Sequence, residues 1–129
     1  MIDRANEIFT RVKKAVQPLC KDVGQSTEDT PSVLPYLDFN HVDNPVHNRS
    51  VTLESIENAV VPMVELTVYT KGNGKLASGK KILGLADTEM QSMMFRRTFG
   101  PQKVVNAADT SICRVISRYT RVIGKDDVL

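Results

Sequence analysis

The stretch VVPMVELTVYTKGNGKLASGKKILGLADTEMQSMMF, residues 60–95, predicts a strand, a turn and a helix in direct succession. Residues 60–69 are predicted to form the strand, because the side chains of residues 64–69 alternate between two faces, as in a strand with one buried face. The apolar positions of that face are Val64, Leu66 and Val68. The sequence KGNGK predicts a turn. A helix is predicted over about residues 77–95, where apolar side chains recur at helical spacing: Ile82, Leu83, Ala86, Met90, Met93 and Met94.

Towards the amino terminus, the apolar stripe of residues 2–19 predicts an amphipathic helix that Pro18 ends or kinks. Residues 24–32 predict a polar loop. Residues 34–39 predict a short strand, with Pro35 placing it at a sheet edge or falling among its first residues.

The polar stretch of residues 40–58, called the arm from here on, is long for a structureless connection inside one domain. It predicts either a functional loop or an extended hairpin, and we expect it to bind a partner; a plain solvated loop is the alternative. The arm residues predicted for an oligomer or partner interface are Asp43, Asn44, Val46, Asn48, Arg49 and Glu54.

Towards the carboxyl terminus, Gly100 and Pro101 predict a break in the chain, and residues 104–105 the start of a strand. Residues 106–109 predict a turn, and residues 111–123 the longest strand. Arg114 and Arg118 would project from one face of that strand and Arg121 from the other. Arg114 and Arg118 are also predicted to belong to the interface, because arginine is enriched where subunits meet. The alternative is that they lie on a solvated sheet face.

The predicted fold class is α+β, with one domain over residues 1–129 and a mostly antiparallel or mixed sheet of about four strands flanked by two main helices. The net charge of +2 is too balanced to predict nucleic-acid binding. No apolar run approaches the ~20 residues of a membrane span. The amino-terminal residues do not resemble a signal peptide, so Cys20 and Cys113 are predicted to be reduced thiols of a cytosolic product that pack as small hydrophobic side chains.

The segment GKLASGKK, residues 74–81, fits most of the phosphate-binding loop pattern. Lys81 stands where that pattern needs the hydroxyl that binds Mg²⁺, and the chain is short for the parallel sheet that carries such loops. We therefore interpret the segment as a turn and a solvated helix face, and expect no cofactor.

No pattern of catalytic or metal-binding residues stands out in the sequence. His41 and His47 are the only candidate ligands close together, and a solvated pair is the simpler interpretation. A nucleophilic cysteine–histidine pair would lack a recognisable third group to orient it. We expect no catalytic residue, no metal site and no enzymatic activity.

Taken in order, several segments resemble the tail-completion, or tail terminator, proteins of siphophages, also known as minor capsid proteins. The segments are IFTRVKKAV, VDNPV from residue 42, IENAVVPMVELTVYTKGNGK from residue 56, GKK opening the helix that runs to FRRT, and ISRYTRVIGKDD. They cover nearly the whole chain, and the specificity lies in the ordered set.

The resemblance implies helices packed on a mostly antiparallel sheet, no catalytic residues, and a virion structural role. The protein would form a ring, expected to be a hexamer, at the head-proximal end of the tail tube. There it would stop tube polymerisation and join tail to head. Its expected partners are further copies of itself, the major tail tube protein and a head-completion or stopper protein, with genomic DNA passing through the lumen without sequence-specific binding and no membrane contact. It would be located in the virion at the head–tail junction, and in the host cytoplasm during assembly. The alternatives are another neck protein, an adaptor or stopper, and a small cytosolic nucleotide-binding module.

Overall fold

The computed structural model describes residues 1–25, 30–47 and 58–129. In chain order its elements are α1 (Ala5–Val16), β1 (Asp22–Gln25), β2 (Tyr36–Asp43), β3 (Ala59–Val60), β4 (Met63–Lys71), α2 (Lys75–Ser92), β5 (Arg96–Val105), β6 (Ile112–Thr120) and β7 (Ile123–Gly124). The main sheet has five strands in the order β1-β2-β4-β6-β5, and β3 pairs with β7 in a second sheet. β1 and β2 run parallel, and the other pairings are antiparallel. The predicted α+β class is confirmed, with five strands in the main sheet instead of about four.

The core lies between the central strand β4 and the two helices. Val64, Leu66 and Val68 are fully buried, as the alternation of the sequence predicts. They belong to one apolar cluster with the buried residues of both helices: Ile8, Val12, Val16, Ile82, Leu83, Ala86 and Met90. Full burial of one such side chain contributes about 1.5–3 kcal/mol. Packing among these three elements therefore helps to fix the helices on one side of the sheet.

Both predicted helices are confirmed, with small differences in their ends. α1 begins at Ala5, whose N–H donates to the Asp3 carboxylate at 2.9 Å, and it ends before Pro18. α2 begins at Lys75, two residues earlier than predicted, directly after the turn. Gly72 and Gly74 have φ values of +90° and +68° in that turn, where residues with a side chain are strained.

The predicted break at Gly100 and Pro101 is wrong. β5 runs through both residues and shifts its register against β6 there, so the pair forms a bulge. Gly100 has φ +82°, and a Cβ atom on it would lie 2.1 Å from the carbonyl oxygen of Ile116. Glycine is thus required at the bulge, which the sequence alone presents as an interruption.

Three further expectations need correction. Residues 24–25, the first two of the predicted polar loop, belong to β1, which pairs with β2 although it has few apolar side chains. β6 ends at Thr120, and residues 123–124 form β7 in the second sheet. The longest strand is therefore β5, with 10 residues, against nine in β6.

Arg121 ties the end of α2 to the carboxyl-terminal tail. Its guanidinium donates to the carbonyl oxygen of Met93 at 2.7 Å and to the carboxylate of Asp127 at 2.9 Å. A cation next to the last helical carbonyl groups is favourable, because these carry the negative end of the helix dipole. Arg121 lies just beyond the end of β6, so it does not occupy the opposite face of that strand as predicted.

Candidate functional site

The side of the main sheet that faces away from the helices is the strongest candidate for an interface. Its residues occupy the strand positions that alternate with the core-facing positions. We call this side the open face and define it by its exposed and half-buried residues Glu65, Phe99, Arg114, Ile116 and Arg118; Tyr69 on the same side is buried. Arg114 and Arg118 both lie on it, which confirms that they project from one side of β6.

Arg118 bridges three strands of the open face. Its Nε donates to the Glu65 carboxylate of β4 at 2.7 Å, and its guanidinium carbon lies 5.2 Å from the ring centre of Phe99 on β5. The side chain is 47% exposed, so the pair with Glu65 contributes little to stability. An arginine that an acid and an aromatic ring hold in place is already positioned to contact a partner.

Arg114 lies further along the same face, opposite Tyr69 of β4 and Val104 of β5. One terminal nitrogen of its guanidinium donates to the Val105 carbonyl oxygen at 3.3 Å. Its Nε is buried and has no hydrogen-bond partner. An unpaired buried donor is costly, but this one lies too deep for an acceptor on another chain to reach it.

β5 gives the open face an edge at which, among the described residues, no further strand pairs. Val105 is 71% exposed and Phe99 37% exposed along it. The outer side of an edge strand presents backbone groups ready to pair with another chain. The edge and the open face together form a continuous surface through Phe99.

Val46 and His47 of the arm pair with β3, the strand that directly follows the arm. Val46 forms an antiparallel bridge with Val60, and the N–H of His47 donates to the carbonyl oxygen of Ala59 at 2.9 Å. β3 in turn pairs with β7, which anchors this base on the domain. Residues 46–47 and 59–60 are therefore paired as in a hairpin, which is one of the two structures predicted for the arm.

The predicted interface residues of the arm fall into two groups. Asp43 ends β2, and the Asn44 side chain donates to the carbonyl oxygen of Ile2 at 2.6 Å, so Asn44 also holds the amino-terminal segment. Val46 belongs to the hairpin base and is 40% exposed. The remaining three, Asn48, Arg49 and Glu54, lie outside the described residues.

The GKLASGKK segment does not have the form of a phosphate-binding loop. α2 begins at Lys75, so Gly79, Lys80 and Lys81 lie within the helix. Gly79 is buried, and a Cβ atom there would lie 3.3 Å from a methyl group of Val115. The lack of a side chain at Gly79 allows α2 to pack closely on β6. The backbone N–H groups around it continue the helix and do not surround a phosphate.

The cysteines and histidines are separated in the fold. Cys20 and Cys113 are both free and buried, which confirms their predicted packing, and burial raises the pKa of the Cys20 thiol. His41 lies in β2 opposite Val64, whereas His47 lies in the hairpin base. No three His, Cys, Asp or Glu side chains of residues 1–25, 30–47 and 58–129 are grouped so as to hold a metal ion.

A polar network between α2, β5 and β6 was not predicted. Asp87 of α2 accepts hydrogen bonds from the Tyr119 hydroxyl at 2.7 Å and from Arg97 at 2.9 Å on one oxygen, and from Gln91 at 2.6 Å on the other. Tyr119 is completely buried. Tyr119 itself could have indicated this network. It stands at a core-facing position of β6, and a buried tyrosine hydroxyl needs a hydrogen-bond partner.

No protein-family model matches the chain, and no curated protein matches it. Within the part of the chain that the structure describes, neither helix has the length and apolar character required to cross a bilayer.

The Tyr119–Asp87 contact should make stability fall at alkaline pH. Burial, reinforced by the hydrogen bond to Asp87 and its negative charge, raises the pKa of Tyr119 above its usual value. The folded protein therefore retains a proton that the unfolded chain releases from about pH 10 upward, so stability decreases as pH rises beyond that point. Urea unfolding at pH values from about 8 to 11 should show this loss in the wild type and a shallower loss in Tyr119→Phe. An equal slope in both proteins would contradict the assignment.

Proposed function

We propose that the protein is a siphophage tail terminator, which assembles into a ring on the head-proximal end of the tail tube. The ring would stop tube polymerisation and offer its other side to a head-completion or stopper protein. The ordered whole-chain resemblance supports this role. So does an α+β domain whose interaction surface is distinct from its apolar core.

The observation that carries the proposal is the open face together with the β5 edge. The helices bury the opposite side of the sheet, so this surface is not needed for the apolar core. It nevertheless carries Arg118 placed on the ring of Phe99, and Phe99 is itself 37% exposed. Aromatic and arginine side chains are those that interfaces favour. We therefore assign the surface to contacts between subunits.

Ring geometry requires five or more subunits if DNA is to pass, and six is the number that the resemblance implies. A domain of this length has a radius of gyration of ~14 Å, and hence a diameter of roughly 36 Å when treated as a sphere. Four such spheres in a ring leave a hole of about 15 Å, whereas six leave roughly 36 Å, compared with about 20 Å for duplex DNA. A hexamer would thus let the genome pass. The net charge of +2 is compatible with passage, since a strongly basic lumen would retain phosphates.

Arg118→Ala should abolish ring formation while leaving the subunit folded. Arg11→Ala is the matched control, because Arg11 also donates its Nε to a carboxylate at 2.7 Å, that of Glu89, but does so between the helices. Each substitution should cost less than about 1 kcal/mol of folding free energy. We expect the number of rings seen by negative-stain microscopy to fall at least tenfold for Arg118→Ala. The phage titre that the variant restores to an extract lacking the protein should fall by a similar factor. Neither value should change for Arg11→Ala. Wild-type values for folded Arg118→Ala would contradict the assigned interface.

Replacing residues 48–57 by a short Gly-Ser linker should likewise prevent capping of the tail tube but leave a folded subunit. The replacement spares the hairpin base, where Val46 pairs with Val60, so the described core is unchanged. Thermal melting checks the fold, and extract complementation checks assembly. A folded variant that restores the normal titre would show that this part of the arm is dispensable.

A further inference from the structure

A ring built from one kind of contact needs two different surfaces on each subunit, one for the next copy and one for the previous copy. The open face and the β5 edge provide one of them. The main sheet has a second edge at β1, at the other end of its strand order. Among residues 1–25, 30–47 and 58–129, no strand pairs with the outer side of β1 or of β5. Each copy therefore carries two sheet edges, and such edges readily pair with another chain.

The directions of the strands allow the two edges to pair between copies. β1 runs parallel to β2, and the three antiparallel pairings that follow across the sheet leave β5 running the opposite way. When two copies stand side by side with their sheets in the same orientation, β5 of one copy therefore meets β1 of the other in antiparallel direction. Antiparallel pairing is the more stable of the two kinds.

The backbone groups needed for this pairing are largely unused. Within residues 102–105 of β5, only the Val105 carbonyl oxygen makes a hydrogen bond to a described residue outside the sheet pairing, from Arg114 at 3.3 Å. In β1 only the Asp22 carbonyl oxygen does so, accepting from the Cys20 thiol at 3.4 Å. Both edges thus retain donors and acceptors for a further strand.

Val105 is the side chain on β5 that such a strand would cover. It stands opposite the buried Cys113 and so lies on the helix side of the sheet, yet it is 71% exposed. Val23 of β1 lies on the same side and packs against the apolar cluster. Contact between Val105 of one copy and Val23 of the next would continue the apolar side of the sheet across the junction.

The alternation of side chains limits the register of this contact. Helix-side residues must stand opposite helix-side residues, so only every second register is possible. Placing Val23 opposite Val105 also places Gln25 opposite Lys103, and no like charges then face each other. A shift by two residues in one direction would place Gln25 opposite Pro101, which lacks an N–H and lies in the bulge. The same shift in the other direction would move most of β1 past the end of β5.

We propose that copies of this protein associate head to tail through their sheet edges, with β1 of one copy added to β5 of the next and Val23 opposite Val105. The inference rests on the proposed function for its role in a closed ring, and it names the second surface that such a ring needs. The pairing itself requires only two copies of the chain, so it can be measured apart from the tail.

Disulfide cross-linking of the purified protein tests the pairing directly. Mild oxidation of Val23→Cys/Val105→Cys should give a ladder of dimers and larger multimers on non-reducing gels, because directly opposite Cβ atoms lie within reach of a disulfide. Within one copy the two positions are four strand spacings apart, about 19 Å, so no bridge can form there. The native Cys20 and Cys113 are both buried. A disulfide also traps short-lived contacts, so weak association is sufficient.

Gln25→Cys/Val105→Cys is the matched control. These positions would be diagonal neighbours across the junction, too far apart for a disulfide, so multimers should be roughly tenfold less abundant or fewer. Val105→Cys alone should stay monomeric, because a head-to-tail contact never brings two copies of this residue together.

Val105→Lys tests the same contact without an added cysteine. The side chain is exposed, so this variant should melt as the wild type does. A lysine on an edge strand opposes pairing, and sedimentation analysis should show association weakened roughly tenfold or more.

The proposal is wrong if folded Val23→Cys/Val105→Cys gives no multimers, if the control variant cross-links equally well, or if Val105→Lys associates as the wild type does. It is also wrong if Val105→Cys alone forms dimers, which would mean that two β5 edges pair with each other. A ladder from a protein that fails to restore phage titre to the extract would keep the pairing and refute the role in the tail. A restored titre without a ladder would do the reverse.

Discussion

Burial of one side of β4 beneath α1 and α2 is the interaction on which the other features depend. Val64, Leu66 and Val68 alternate with polar residues, so only one side of this central strand can face an apolar core. A shift of one residue in register would expose the apolar row. The same constraint sets the character of the other side, where Glu65 stands opposite Arg118. Core and open face are therefore consequences of a single alternation.

The two sides of the sheet serve different purposes in this account. The helix side contains the apolar core and the Asp87–Tyr119 network. The open side contains groups that leave part of their bonding capacity unused, such as the Nε of Arg114. Substitutions on the open side should change assembly more than folding, whereas substitutions in the buried network should change folding first.

Features with a local period could be predicted from the sequence, and features made by distant residues could not. The alternation of β4 and the helical spacing of Ile82, Leu83 and Ala86 each repeat over a few residues, so both elements were predicted. The common side of Arg114 and Arg118 follows from the same two-residue period. β1 has no such pattern and forms because β2 lies beside it. The bulge at Gly100 depends on the close approach of Ile116, 16 positions away, and the Tyr119–Asp87 contact spans 32 positions.

The candidate interface was predictable in part for the same reason. Strand periodicity indicates which side of β6 its arginines share, but it does not place Phe99 beneath Arg118, because the path of β5 through Gly100 and Pro101 sets that contact. The hairpin base of the arm needs β7 as its support, and β7 lies more than 60 residues away from β3 in the sequence.

The most direct test of the proposed role is the morphology of particles assembled after the gene for this protein has been deleted. The account predicts DNA-filled heads and separate tails of abnormal length, because nothing would cap the tube or join it to the head. Tails of normal, uniform length attached to heads would contradict the proposal that this protein terminates the tail.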